Sequence, residues 1–330
     1  MIVLKLNQKI NLKNFFNNIF NKQEIAILFP FLLLILFFYS RNEAMLNPIT
    51  ITSILRTIAF PALISMGMVQ LMIAGEIDLS TAAVMSFCAV LTAKLVRDFN
   101  FGIPEAVIIS LLCSLLIGFI NAFLTVKIGI FSVIATIGTG FVVRGSSYLF
   151  TNGLPIYPLP ESFAFLGSLR PFNISFTFFL MLAVALFVQL LLSYTKWGTI
   201  IYATGSNRQA AEVSGINTFK VKLKCFMATS FLSGCAGLLT MSQLPGTPGD
   251  PIIGLNLELD ILAGVIVGGV SLYGGRGSAI GTLIGVAFIQ IVRSGLVIGH
   301  FNPYLQLPAL GLLLMMAVAW DVIRHKKNVA

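Results

Sequence analysis

Long apolar runs separated by short polar intervals recur from about residue 25 to residue 323. A helix needs roughly 20 apolar residues to cross the hydrocarbon of a bilayer, because unpaired backbone groups are not tolerated in lipid. Ten runs approach that length: Ile25 to Ser40, Ile51 to Ala74, Thr81 to Val96, Glu105 to Val126, Ile130 to Phe150, Ile174 to Leu192, Leu223 to Leu244, Leu257 to Leu272, Gly277 to Ile298 and Leu305 to Ile323. The pattern predicts an all-α, polytopic membrane protein of about ten transmembrane helices. The third run is short for a crossing and follows Gly75-Glu76-Ile77-Asp78-Leu79-Ser80. Asp78 or Ser80 can cap a helix that starts below the membrane surface and lines a cavity, and a short tilted helix after an ordinary turn reads equally well.

Composition agrees with the pattern and narrows it. Hydrophobic residues make up 57% of the 330 positions and charged ones 10%, against about 25% charge in ordinary soluble domains. A water-soluble fold is excluded on that ground. No polar interval is large enough to fold separately, so residues 25–323 read as a single membrane domain between a cytoplasmic tail over 1–24 and another over 324–330. The Lys/Asn-rich start has no small-residue cleavage site after its hydrophobic run and reads as a retained tail.

The formal charge of +9 does not point to nucleic acid, because the basic residues form no continuous stripe with aromatics. They sit at the chain ends and in a few loops. With both termini in the cytoplasm, Lys22, Lys127, Lys196, Arg208, Lys220, Lys222, Lys224, Arg276 and the basic residues of both tails fall inside, while Arg41, Lys94, Arg97 and Arg170 fall outside. This is the bias that sets orientation. Cys88, Cys113, Cys225 and Cys235 lie inside apolar runs and form no CxxC pair, so they read as small packing residues.

Three connections are long. Thr151 to Asn173 carries four prolines and Pro245 to Asn256 three, and both fall outside. The loop 194–224 is basic, lacks proline and falls inside. Its centre, Asn207-Arg208-Gln209-Ala210-Ala211-Glu212-Val213, places helix formers after a capping Asn, and Gly215 follows. Capping rules predict a short helix over Arg208 to Val213. Arg208 and Glu212 form an i, i+4 pair on it, and the alanines leave room for close approach. Read alone, it is a docking helix or a solvated loop helix.

The stretch IYATGSNRQAAEVSGINTFKVK resembles the cytoplasmic loop of the ribose-type branch of ABC importer permeases, the branch that handles ribose, xylose and autoinducer-2. EIDLS at Glu76 to Ser80 and LELDILAGVIVGGVSLYGGRGSAIGTLIG at Leu257 to Gly285 are similar to further motifs of that family, and the likeness runs from about Thr50 to Asp321. The chain departs from the family pattern at Glu76, where a glycine is usual, at Thr81-Ala82 in place of Val-Gly, and at Gln209 in place of glutamate.

The resemblance implies a type II importer-like permease in a bacterial cytoplasmic (inner) membrane, with some broken helices. It implies a second permease subunit, identical or paralogous, two ATPase subunits or a tandem ATPase, and a soluble binding protein that delivers the solute. ATP and Mg would be bound by the ATPase, with no cofactor in this chain. Asn207, Arg208, Gln209, Ala210, Ala211, Glu212 and Gly215 would then couple to the ATPase.

The glycine-dense region holds Gly264, Gly268, Gly269, Gly274, Gly275, Gly277, Gly281 and Gly285. Small residues at spacing four let helices approach closely in lipid, and Gly274-Gly275-Arg276-Gly277 makes a tight turn. It lacks the Lys-Ser/Thr of a P-loop, so nucleotide hydrolysis is not expected here. Charge inside a membrane needs a partner or a wet cavity. Arg56, Arg144, Arg293, Glu258 and Asp260 are such groups. Glu258 and Asp260 open an apolar helix, where they can bind sugar hydroxyls, meet the binding protein, or cap the helix and pair with an arginine. Asp78, Asn121, Thr136, Thr139, Arg144 and Gln290 complete the candidates for a hydroxyl-rich translocation path. No catalytic or metal-ligating constellation is present; His300 and His325 stand apart from other ligands. The expected function is the permease of an ABC importer for a monosaccharide or autoinducer-2, the alternative an ion-coupled secondary transporter.

Overall fold

Apolar helices dominate the computed structural model, which describes residues 22–243 and 249–329 and has no strand among them. Ten helices follow the apolar runs: α1 (Lys22–Arg41), α2 (Pro48–Ile73), α3 (Thr81–Arg97), α4 (Ile103–Ala122), α5 (Ser132–Thr151), α6 (Phe176–Tyr194), α9 (Thr218–Gln243), α10 (Leu257–Val267), α11 (Ala279–Ile298) and α12 (Gln306–Val329). Between α6 and α9 lie two shorter ones, α7 (Lys196–Ser206) and α8 (Arg208–Val213). Seven helices among the described residues are long and apolar enough to cross a membrane.

Several boundaries differ from the sequence reading, each for a local reason. Most of the 1–24 tail lies outside the described residues, and Lys22 to Glu24 already belong to α1. The loop 194–224 is mostly helical: α7 was not foreseen, and α9 begins at Thr218 because Asn217 accepts from the Lys220 amide. The eighth run stops at Val267, not Leu272, because the chain reverses through Gly268 and Gly269. The turn-rich segment after Gln243 lies partly outside the described residues.

Helices α2 and α9 form the centre. Every residue of α2 from Pro61 to Ile73 is buried, as a helix apolar on all faces requires. Two-thirds of the apolar stretch of α9 is buried, against 6% in α12 at the rim. Small residues set the approach distances. A Cβ at Gly118 of α4 would press on the Phe226 carbonyl and Met227, and one at Gly67 of α2 on the Thr229 backbone. Helices α10 and α11 pack just as closely, with Gly264 against Val286 and Gly268 against Gly281 and Thr282.

The two ends of the bundle differ in chemistry, with α7, α8 and the Lys/Arg-rich turns at one (the basic end) and the prolines at the other (the proline end). An irregular segment enters from each. At the basic end, residues 74–80 fold inward along α5: the Ile77 amide donates to Ser132 Oγ (3.4 Å), the Leu79 amide to Thr136 Oγ1 (3.0 Å), and Ser80 lies against Gly140. Ser132, Thr136 and Gly140 stack four apart on one face, so α3 begins about 12 Å further along α5 than α5 itself does. Of the two readings of that segment, this geometry favours a helix that starts inside the bundle.

At the proline end, residues 249–256 run down α3. Gly249 lies against Ala93, the Pro251 carbonyl accepts from Ser86 Oγ (3.0 Å), and Gly254 sits over Met85 and Ala82. The descent covers eleven residues of α3, about 17 Å. Helix α10 therefore starts deep inside and crosses only part of the bundle.

Candidate functional site

The polar groups that these two segments carry inward form two clusters. In the first, the Asp78 carboxylate is fully buried and accepts from the Ser80 amide (2.8 Å), Ser80 Oγ (2.6 Å) and Asn121 Nδ2 (3.3 Å). Asn121 also donates to Ser80 Oγ (2.9 Å). The Asp side chain thus supplies the turn that the backbone makes before α3, a short-range bond typical of Asp and Ser. Asp78, Asn121 and Thr136 are brought together here. Thr139 is not: its hydroxyl donates to the Ala135 carbonyl of its own helix.

The same segment is tied to the basic end. Gly75 and Gly274 pack on Gly205 of α7, the Gly275 amide donates to the Ile73 carbonyl (2.8 Å), and Tyr202 Oη donates to the Gly277 carbonyl (2.7 Å). Gly274 and Gly275 hold φ of +79° and +71°, which L side chains rarely adopt. A Cβ at Gly205 would overlap the Ile73 carbonyl oxygen. The turn is fixed from its other side by Asp321 of α12, which accepts from the Leu272 amide (2.9 Å) and Ser271 Oγ (3.2 Å). Gln189 of α6 accepts from the Ala279 amide (3.0 Å), occupying the free amides that open α11.

Helix α8 spans Arg208 to Val213. Asn207 caps it, accepting from the Ala210 amide (3.0 Å), and Gly215 closes it at φ +83°. Arg208 Nε donates to Glu212 Oε1 (2.9 Å), which also takes the Thr218 hydroxyl (2.6 Å). These two donors hold the Glu212 carboxyl below its ordinary range, the Thr218 hydroxyl contributing most. Asn207, Arg208, Gln209 and Ala210 are exposed, Val213 is 90% exposed, and Ala211 is buried against its own chain. A cavity of about 790 Å³ opens beside α8, lined by Phe119, Phe123, Lys127 and Phe219 among others.

The second cluster lies at the start of α10. Arg293 Nη2 of α11 donates to Asp260 Oδ1 (2.7 Å), an ion pair in which the side chains are 30% and 5% exposed. Among the described residues, Glu258 Oε2 and Arg293 Nε are buried without a hydrogen-bond partner. Gln290 is buried one turn before Arg293. Arg144 of α5 reaches the Pro251 carbonyl (3.4 Å), joining α5 to the irregular segment. Arg56 is instead taken up by Gln243, whose amide nitrogen reaches Ser175 and Thr177.

Two charged side chains outside the site candidates, Glu76 and Lys222, form an ion pair of 2.6 Å. The available signal was the carboxylate at Glu76, since a charge ending so apolar a helix demands a partner. Nothing in the sequence indicated which lysine. Among the described residues, no group of three or more His, Cys, Asp or Glu could hold a metal ion.

Comparison with known proteins gives a consistent result. The family described as branched-chain amino acid transport system / permease component matches residues 50–318. The ribose import permease protein of Bacillus subtilis is 34% identical over 284 residues, covering 85% of this chain and 87% of its own. An autoinducer 2 import system permease protein of Escherichia coli is 30% identical over 301 residues, 91% of this chain and 87% of its own. The xylose/arabinose import permease protein of Sulfolobus acidocaldarius is 32% identical over 297 residues, 87% and 81%. No solved structure matches the chain.

Proposed function

The chain belongs to this permease family, and we propose that it forms the translocation path of an ATP-binding-cassette importer for a small hydroxylated solute, a ribose-like sugar or autoinducer-2. The similar permeases import ribose, xylose/arabinose and autoinducer 2, and these solutes share a dense set of hydroxyls. An external binding protein would deliver the solute, a second permease subunit would complete the path, and two ATPase subunits or a tandem ATPase would bind ATP and Mg. The Lys/Arg distribution puts the basic end and both termini in the cytoplasm, and residues 25–323 act as one membrane domain in the cytoplasmic membrane.

The observation that carries the coupling assignment is α8. It is a capped helix of six residues whose outward face offers Gln209, Ala210 and Val213, left exposed by the described residues. An ATPase cleft closing on that face would push α8, then α7, and through Gly205 the ends of α2 and the Gly274-Gly275 turn. The path candidates are the groups beside the second irregular segment: Arg144, Glu258, Asp260, Gln290 and Arg293. Hydroxyls suit such a site, because neutral oxygens can exchange with its unpaired acceptor and donor without burying charge.

The test replaces Val213 with Asp in permease reconstituted with its ATPase and binding protein. Val213 touches little, so the variant should insert normally and lose ATP-dependent uptake. Undiminished uptake would remove α8 as the docking element. Ala211, although central to the motif, is buried, and Asp there would disturb the loop itself.

A further inference from the structure

We propose that the Glu76–Lys222 ion pair is a positioning element of transport, a strut that carries movement of α8 to the inward-folded segment 75–80. The inference rests on α8 being the docking helix and deepens that reading. The geometry forms an unbroken sequence of contacts. Arg208 and Thr218 both hold Glu212, the carboxylate of α8. Thr218 and Lys222 are four apart on α9, so they stack on one face a single turn away from each other. Lys222 Nζ then reaches Glu76 Oε1 at 2.6 Å, across 146 residues of sequence. Glu76 stands two residues before Asp78, whose carboxylate organises the start of α3 with Ser80 and Asn121.

Three features make this a strut and not a loose surface pair. Both side chains are nearly enclosed, 8% and 15% exposed, so water screens them little. Both belong to rigid backbone: Lys222 sits in the second turn of a 26-residue helix, and the Glu76 amide donates to the Leu71 carbonyl at the end of α2. The pair also spans the gap between the element that receives force and the one that carries buried polar groups into the bundle. No other ion pair among the described residues does so.

The test uses the assembled importer in proteoliposomes, with uptake measured per ATP hydrolysed and per inserted permease. Glu76→Gln and Lys222→Gln each leave one enclosed charge unpaired, and each should lower uptake per ATP by roughly tenfold while hydrolysis continues. The double variant Glu76→Gln/Lys222→Gln removes both charges and keeps an amide contact, and it should recover most of the loss. Single variants that keep wild-type uptake per ATP overturn the proposal, and so does a double variant no better than the singles. Should either single variant fail to insert, hydrogen exchange on the wild-type importer decides: ATP binding should change exchange in residues 76–80 together with 208–213. A change confined to 208–213 overturns it. The Val213→Asp importer run alongside separates the two failures. If that variant transports, α8 is not the docking element; if it alone loses uptake, only the strut falls.

Discussion

The two irregular segments that enter the bundle from opposite ends are built by opposite means. Residues 74–80 are held on every side, by the amide bonds to Ser132 and Thr136, by Asn121, by Lys222 and by glycine-mediated contact with α7. Residues 249–256 are held through two carbonyls, that of Pro251, which takes Ser86 and Arg144, and that of Gly249, which takes the Ile156 amide (3.3 Å). The first segment encloses its charges, while the second opens onto Arg293, which is 30% exposed and has an unpaired Nε. On the proposed function, force would pass through the stiff junction at the basic end, and solute would pass beside polar groups that are not yet spent.

The comparison breaks most readily at glycine. Gly205→Ala should cost about 3 kcal/mol or more, because its Cβ would meet the backbone of Ile73 and the Gly275 amide, which cannot yield. Gly254→Ala at the other segment meets only the Met85 sulfur at 3.2 Å, at the far end of a flexible side chain, and should cost about 1–2 kcal/mol for its positive φ. Thermal unfolding of the two detergent-extracted variants should rank them in that order. Equal loss would mean the proline-end segment is as rigid as the junction.

A second step tests the buried carboxylates. Asp78→Ala strips Ser80 and Asn121 of their acceptor and should cost about 2 kcal/mol. Asp260→Asn should cost less, about 1 kcal/mol, because partial exposure lets water reach the freed arginine. Uptake, however, should suffer more in Asp260→Asn than its stability loss accounts for. Proportionate loss in both would remove Asp260 from the path.

The smallest effect is one of pH. The Thr218 hydroxyl and Arg208 depress the Glu212 carboxyl below its ordinary value of 4.5. A depressed carboxylate stabilises the fold above the ordinary value, and that contribution disappears as pH falls through the lowered one. Hydrogen exchange in residues 208–213, corrected for intrinsic rates, should therefore rise as the medium is acidified below about 4.5. Glu212→Gln should abolish the pH dependence.

Much of this was legible from residue order. The apolar runs located ten helices because lipid leaves a spanning backbone no other option, and capping chemistry placed α8 at Arg208 to Val213, the bounds found. The glycine spacing marked the contact between α10 and α11, where Gly268 meets Gly281. Helix α7 was missed because Gly198 and Gly205 lower its propensity; it forms because its glycines fit against the Leu192 and Ile73 carbonyls. Thr136, read as a path hydroxyl, also accepts from the Leu79 amide, a bond that depends on what the fold places opposite it.

Sequence by itself determined the class of protein, the approximate places of its apolar helices and the position of the exposed loop helix, since each follows from local chemistry: apolar length, and a cap with a stop. Tertiary structure alone decided that the chain turns inward at residues 74–80 and 249–256, and that Glu76 selects Lys222 from among the chain's basic residues. Those outcomes depend on contacts between residues far apart in sequence, 146 positions for Glu76 and Lys222 and 165 for Ser86 and Pro251, and the energy of a buried charge is set by the partner that packing brings to it.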